Sequence, residues 1–309
     1  AMVKTTTRSS TLARVAWPFP THFPRSRIEP ISSPLPTTAQ VLSNSSIGSL
    51  QTIWSTSLLV RTGIPMKILA IDIGGTKVKV LASGQTTPRK APSGRQMTPA
   101  RMVEQVRALA QDWEYEAISI GYPGPAGDHG PKSEPGNLGP GWVGFNFTDA
   151  FERPVKLVND AAMQALGSYE GGRMLFLGLG TGLGSALIAE NAIFCTELGC
   201  LPYRSRGRHR TLGEVLGRLG LTRLGVPRWR RVVRRVVPQL MQAFLADYVV
   251  IGGGNAKRMT MLPHGIRHGH NLTAFRGGFR LWGVEDVPVL APEAHTHALP
   301  PQRQEWRLI

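Results

Sequence analysis

Between Met66 and Lys77 the chain reads MKILAIDIGGTK, an apolar run that ends in a carboxylate and then breaks at two glycines. Ile68, Leu69, Ala70 and Ile71 read as a buried strand that delivers Asp72 to its end, where a carboxylate can hold a hydrated Mg²⁺. Gly74 and Gly75 let the backbone turn tightly and bring N–H groups close to a phosphate that a Cβ would obstruct. Thr76 and Lys77 add a hydroxyl and a cation. Alone, the segment also fits an ordinary β-hairpin, so its meaning depends on the rest of the chain.

The pattern recurs. Met174–Leu179 reads as a strand, followed by a turn at Gly180, Thr181 and Gly182 and a further strand to Ala189. Two strand–glycine-turn–strand units at similar places in two halves indicate a duplicated phosphate-binding hairpin. Tyr248–Ile251 is another strong strand and stops at Gly252, Gly253 and Gly254. Val155–Val158 is a strand ending at Asn159 and Asp160, ahead of a helix over 161–169. On its own that pair reads first as a helix N-cap and second as a proton acceptor beside a hydrogen-bonding amide. Pro99–Trp113 has helical spacing, Ala117–Ile120 is a short buried strand, Gly136–Trp142 is a glycine-rich loop, and 211–246 is mostly helical. Strands that repeatedly deliver loops at their C-terminal ends place ligands there, as open α/β sheets do.

The ends differ from this middle. Residues 1–65 are rich in Ser, Thr, Pro and Arg without helical or strand period, and are expected to be a disordered or non-native extension. The tail over 288–309 is proline-rich and expected to be irregular. Two α/β domains are expected between them, 66–171 and 172–287. Of the net charge of +16, +5 lies in residues 1–65 and +11 in 66–287, so the folded region is basic and suits a polyanionic partner. No apolar run approaches the roughly 20 residues that span a bilayer. Cys195 and Cys200 do not make a disulfide framework, and a reducing cytoplasm is the expected location.

The constellation resembles the ROK sugar kinases, and among them the polyphosphate glucokinase subgroup. Six pieces carry the resemblance in family order: Asp72–Lys77, the Asn137–Trp142 loop, Asn159-Asp160, Gly180–Gly184, Glu197–Gly199 and Val249–Gly254. It implies the actin-like ATPase (ribonuclease H-like) fold, two α/β domains around a cleft. It also implies transfer from ATP or inorganic polyphosphate with Mg²⁺ to the 6-hydroxyl of a hexose, glucose first. Asp160 matches the catalytic base. Asn137, Asn159, Glu197 and Cys200 match sugar-side positions. Asp72, Gly74, Gly75, Thr76, Lys77, Gly180, Thr181 and Gly182 match the phosphate side, with Asp72 holding Mg²⁺ through water. Gly252, Gly253 and Gly254 match the loop under a nucleotide. The resemblance adds a homodimer as an expectation.

The sequence departs from the family at three points. Cys200 stands where the family has a sugar-binding histidine, and a thiol is a weak hydrogen-bonding group. The structural zinc motif is missing; Cys195, Cys200 and His209 lack a fourth ligand, so no structural zinc is expected. The second sugar-side glutamate has no clear match beyond Glu214 in a helical stretch.

Residues 223–235 hold six arginines and no acid. With Val232, Val233, Val236 and Val237 toward the core, Arg230, Arg231, Arg234 and Arg235 face outward. They form either a solvated basic face or a track for polyphosphate. Trp229 fits a packed position better than a base-stacking one, and no nucleic-acid module is visible. Two other readings stay open: a non-catalytic sugar-binding regulator of the same family, and an impaired kinase.

Overall fold

The computed structural model describes residues 66–127, 130–205, 208–270, 272–284 and 306–309 of the chain. The expectations for 1–65 and for most of the tail fall outside these residues.

The first sheet grows from β1 (Ile68–Ile73), buried at every position, as its continuous apolar run requires. It pairs antiparallel with β2 (Lys77–Ala82), which carries β3 (Arg89–Pro92) on its outer edge. Helix α1 (Pro99–Leu109) follows, with Thr98 accepting from the Arg101 N–H as N-cap and Pro99 opening the first turn. β4 (Ala117–Tyr122) runs parallel to β1. A small ribbon of β5 (Ala126–Gly127) and β6 (Gly130–Pro131) and the short α2 (Phe147–Phe151) lead to β7 (Val155–Asn159), parallel to β4. Helix α3 (Asp160–Ser168) starts directly from the end of β7.

The second sheet repeats that plan. β8 (Met174–Leu179) and β9 (Leu183–Ala189) form the antiparallel hairpin, and β10 (Ala192–Thr196) continues outward. A 3₁₀ turn at Leu198–Cys200 and a ribbon of β11 (Pro202–Ser205) with β12 (Arg208–Thr211) come next. Helix α4 (Leu212–Leu216) begins at a capping box in which the Thr211 side chain accepts from the Glu214 N–H and Glu214 accepts from the Thr211 N–H. Helix α5 (Arg218–Ala243) is broken at Gly225, whose φ of 69° and ψ of 159° are not helical, and restarts near Pro227. β13 (Tyr248–Gly252) and β14 (Ile266–His268) lie parallel beside β8, and α6 (Thr273–Arg280) follows. The strand orders β3-β2-β1-β4-β7 and β10-β9-β8-β13-β14 are equivalent, so the duplication read from two hairpins extends over five strands. The end of the tail departs from the irregular expectation, because β15 (Arg307–Leu308) pairs parallel with β10.

Each sheet is covered on both faces. On one face of the first, Met102 and Val106 of α1 pack on Val78, Val80, Ile118 and Ile120. On the other, Ile68, Ala70 and Leu81 meet Phe275 and Phe279 of α6. In the second sheet, Leu175, Leu177, Val249 and Ile251 pack against Trp229, Val233 and Val237 of α5. Its opposite face takes Ala161, Ala162 and Ala165 of α3. The inner helices are therefore exchanged: α3 follows a strand of the first sheet and covers the second, while α6 does the reverse. A boundary drawn at residue 171 or 172 separates both helices from the sheets they cover.

Candidate active site

Asp160 occupies the junction of β7 and α3. Asn159 is the N-cap of α3, and its Oδ1 accepts from the N–H groups of Ala161 at 2.9 Å and Ala162 at 3.2 Å. Its Nδ2 donates to the Gly124 carbonyl at 3.0 Å. The amide expected on the sugar therefore has its oxygen fully occupied by backbone, and it serves first to hold Asp160 in place. The cap reading and the special position of Asp160 are both present in one dipeptide.

Burial raises the Asp160 carboxyl from its usual acidic range to about 7, and the nearby charges of Asp72 and Glu197 push in the same direction against a hydrogen bond from the Ala161 N–H. Asp72, Asp160 and Glu197, each delivered by a different element, thus share one electrostatic environment. Glycines permit that convergence. A Cβ at Gly121 on β4 would lie 3.6 Å from the Asp160 Cα and 2.5 Å from the Met163 methyl, and one at Gly184 on β9 would lie 3.1 Å from the Ala161 Cβ.

The first glycine turn closes through a Gly74 N–H to Lys77 carbonyl bond of 3.0 Å. Ser93 braces it, donating its N–H to the Thr76 carbonyl at 3.0 Å and its hydroxyl to the Gly74 carbonyl at 2.5 Å. A Cβ at Gly75 would come 3.0 Å from the Asn137 Cβ, so the loop at 136–142 abuts the turn and exposed Asn137 stands beside it. That loop is anchored by buried Trp142, whose indole N–H donates to the Gly139 carbonyl, and by Glu134, which accepts from the Trp142 and Val143 N–H groups.

Two lysines of β2, Lys77 and Lys79, follow this turn in alternate positions. Lys77 is exposed, whereas the Lys79 ammonium lies 2.7 Å from Asp72 Oδ2. Asp72 and Lys79 are direct cross-strand partners, which turns both side chains to one face. Asp72 is buried, and only its second oxygen remains for a metal-bound water. Among the described residues no three His, Cys, Asp or Glu side chains gather to hold a metal ion. A single carboxylate is nevertheless a usual protein share of a Mg²⁺ shell completed by water and phosphate, so Asp72 fits that limited role.

The other two glycine loops are joined. Asn255, which the sequence motifs did not single out, donates its side-chain N–H to the Gly180 carbonyl at 2.9 Å and its backbone N–H to the Leu179 carbonyl at 3.0 Å. Its signal was an amide residue directly after three glycines. Gly253 takes φ +79° and would place a Cβ 2.7 Å from the Leu179 backbone, so this approach requires glycine. The N-terminus of α5 seats behind the loop, where the Arg218 N–H reaches the Gly180 and Thr181 carbonyls. Gly180, Gly182 and Gly254 face open space.

Glu197 precedes the 3₁₀ turn and Cys200 ends it, both exposed; the Cys200 N–H donates to the Glu197 carbonyl at 3.0 Å. Ser185 fixes this turn by accepting from the Leu198 N–H at 3.1 Å. Glu214 is used as the α4 capping partner, not turned to the other carboxylates. The arginine cluster is largely committed to the fold. Arg230 donates to the Arg258 carbonyl, Arg234 to the Met261 carbonyl at 3.2 Å, and Arg235 to the Tyr203 hydroxyl, while Arg231 is exposed. Trp229 is fully buried and donates to the Leu216 carbonyl, as a packing residue does.

No family model matches the chain. A polyphosphate glucokinase of Mycobacterium tuberculosis is 26% identical over 215 residues, 64% of this chain and 76% of that protein. The solved structures that this chain resembles include ROK family sugar kinases. Another is an inorganic polyphosphate/ATP-glucomannokinase from Arthrobacter sp. strain KM, 21% identical with a TM-score of 0.60, covering 72% of this chain and all of that one. The fold is that of the ROK sugar kinases. It is the actin-like ATPase fold that the six motifs implied. A ROK family transcriptional regulator also shares it, at 12% identity and a TM-score of 0.54, covering 71% of this chain and 78% of that one.

Proposed function

We propose that the chain is a cytoplasmic hexose kinase that transfers a phosphoryl group from inorganic polyphosphate or ATP to the 6-hydroxyl of a hexose, with glucose the first candidate. The observation that carries this reading is Asp160, a strand-end carboxyl whose pKa is raised to about 7 where two glycine turns and a carboxylate-bearing loop converge. A base near neutrality is ionised often enough to act and still basic enough to take a proton.

In this reading the hexose hydroxyl donates its hydrogen bond to Asp160. As the new O–P bond forms, Asp160 accepts the proton. The bridging O–P bond of the donor breaks, and its electron pair stays on the departing phosphate chain. Asn159 fixes the direction of the Asp160 carboxylate through the cap. Glu197 and Asn137 take hexose hydroxyls, with Cys200 beside them. Backbone N–H groups of Gly75 and Thr76 and of Thr181 and Gly182 face the donor phosphates, while the Gly74 and Gly180 N–H groups close their own turns, and Gly252–Gly254 lie under a nucleotide when one is used. Mg²⁺ bound with the donor through Asp72 would neutralise charge on the phosphate oxygens.

The test is purified chain with Mg²⁺, a hexose panel and either donor, scored for sugar 6-phosphate. Asp160→Ala should lower turnover by about 10²–10⁴-fold with the melting transition retained. The regulator that shares the fold supports a second reading, a non-catalytic sugar-binding protein. Hexose binding by the parent without transfer from either donor would select that reading.

A further inference from the structure

The face of the first sheet that meets α6 carries a row of cations beside Asp72. Ile68, Ala70 and Asp72 alternate onto that face of β1, and the first two pack with Phe275 and Phe279 of α6. Across the hairpin, Leu81 and Lys79 are the partners of Ala70 and Asp72 and so share the face, as does Lys77 two residues before Lys79. β3 extends the row, because Lys90 is the direct partner of Lys79. Its neighbour Arg89 turns the other way, with its guanidinium 4.1 Å over Trp113 and paired with Asp112 behind the sheet. Asp72, Lys79 and Lys90 thus stand side by side on three adjacent strands, about 5 Å apart per step.

Two features point to an anion over this row. Like charges directly opposite on neighbouring strands repel, and Lys79 has one carboxylate while Lys90 makes no ion pair among the described residues. Lys90 is exposed and the Lys79 side chain is 41% exposed, so both heads are reachable. The row also begins at Asp72, which acts electrostatically on Asp160. We infer that Lys79 and Lys90 bind the phosphate chain of inorganic polyphosphate: Lys79 meets the phosphates nearest the first glycine turn, and Lys90 holds the chain beyond them. The inference rests on the kinase reading for its donor and moves the polyanion track from the α5 arginines to the sheet. The arginines of α5 are the poorer track, since Arg230, Arg234 and Arg235 already bond to Arg258, Met261 and Tyr203.

The experiment is equilibrium binding of long-chain polyphosphate and of tripolyphosphate, without hexose, to the full chain and to Lys79→Gln, Lys90→Gln, the double variant and Arg101→Gln. Arg101 is an exposed cation of α1 on the far side of the sheet and controls for net charge. Lys90→Gln should weaken long-chain binding about 3–10-fold and flatten its salt slope by about one, with little change for tripolyphosphate. Lys79→Gln should weaken both ligands; Lys79→Arg, which keeps the charge over buried Asp72, should restore them and shows that loss of fold is not the cause. A double variant that binds polyphosphate like the parent, or as weakly as Arg101→Gln does, overturns the inference and leaves Lys90 as protection of an exposed sheet edge. Parent protein that binds polyphosphate by this row yet transfers to no hexose would sink the kinase reading and keep the track. ATP-driven transfer without polyphosphate binding would do the opposite.

Discussion

Gly277 of α6 lies against Met163 of α3 so closely that a Cβ on the glycine would stand 1.8 Å from the Met163 carbonyl oxygen. Gly167 of α3 repeats the relation toward Thr273, at 1.7 Å from its carbonyl oxygen. The two exchanged helices therefore touch backbone to backbone, with no room for any side chain. Gly277→Ala should destabilise the fold by about 2–4 kcal/mol, since neither helix can shift without disturbing the sheet it covers. Gly136→Ala, where a Cβ meets nothing within 4 Å, should move stability by less than about 0.5 kcal/mol. Chemical denaturation of the two variants checks this, and equal behaviour would show that the helices separate at little cost.

That contact also marks where the sequence ceased to be readable. The β1–β2 and β8–β9 hairpins were legible because their apolar runs and glycine turns are local signals. Helix α6 was not, because Gly277 and Gly278 look like helix breakers until α3, Ala70 and Ser119 are seen packed against them. Lys79 carries no such signal, because the motif ends at Lys77 and only the register of β1 with β2 sets a particular lysine opposite Asp72. The run of arginines announced charge, but not the carbonyls of Arg258 and Met261 that lie beneath it. Asp160 stood out by position, while its raised pKa required knowing that Asp72 and Glu197 reach the same place.

The arginines of α5 should behave as structural residues. Arg230→Gln and Arg234→Gln each remove a charge-assisted bond to a loop carbonyl and should cost about 1 kcal/mol of stability. Arg231→Gln, on an exposed side chain, should cost almost nothing. Melting curves for the three variants separate these outcomes. If Arg231→Gln alone raised the polyphosphate KM strongly, α5 would regain its place as the donor track.

Cys200 tests the sugar side. An imidazole there would supply a hydrogen bond that a thiol makes poorly, so Cys200→His should tighten hexose binding by about 1 kcal/mol, several-fold in KM. The turn is exposed and its backbone is set by Ser185 and Leu198, so the larger ring needs no repacking of the core. An unchanged KM for every hexose would mean that position 200 does not reach the sugar.

The sharpest dependence should be on pH. If Asp160 accepts the hydroxyl proton, kcat/KM for the hexose must rise with pH and level off above about 7, with a single ionisation on the acid limb. Glu197→Gln removes one of the charges that raise the Asp160 pKa and should move this limb to lower pH. Stability should run the other way. Because the folded carboxyl titrates near 7 and the unfolded one near 3.8, the native state holds the extra proton between those values, and folding weakens as pH rises through that window. Asp160→Asn abolishes this penalty while keeping the shape of the side chain. It should therefore be more stable than the parent at pH 8, by roughly 1–2 kcal/mol after allowance for local relaxation, and should lose most of that advantage at pH 5. An inactive Asp160→Asn whose stability tracks the parent at both pH values would place Asp160 in an ordinary solvated setting. The acid limb would then belong to another group.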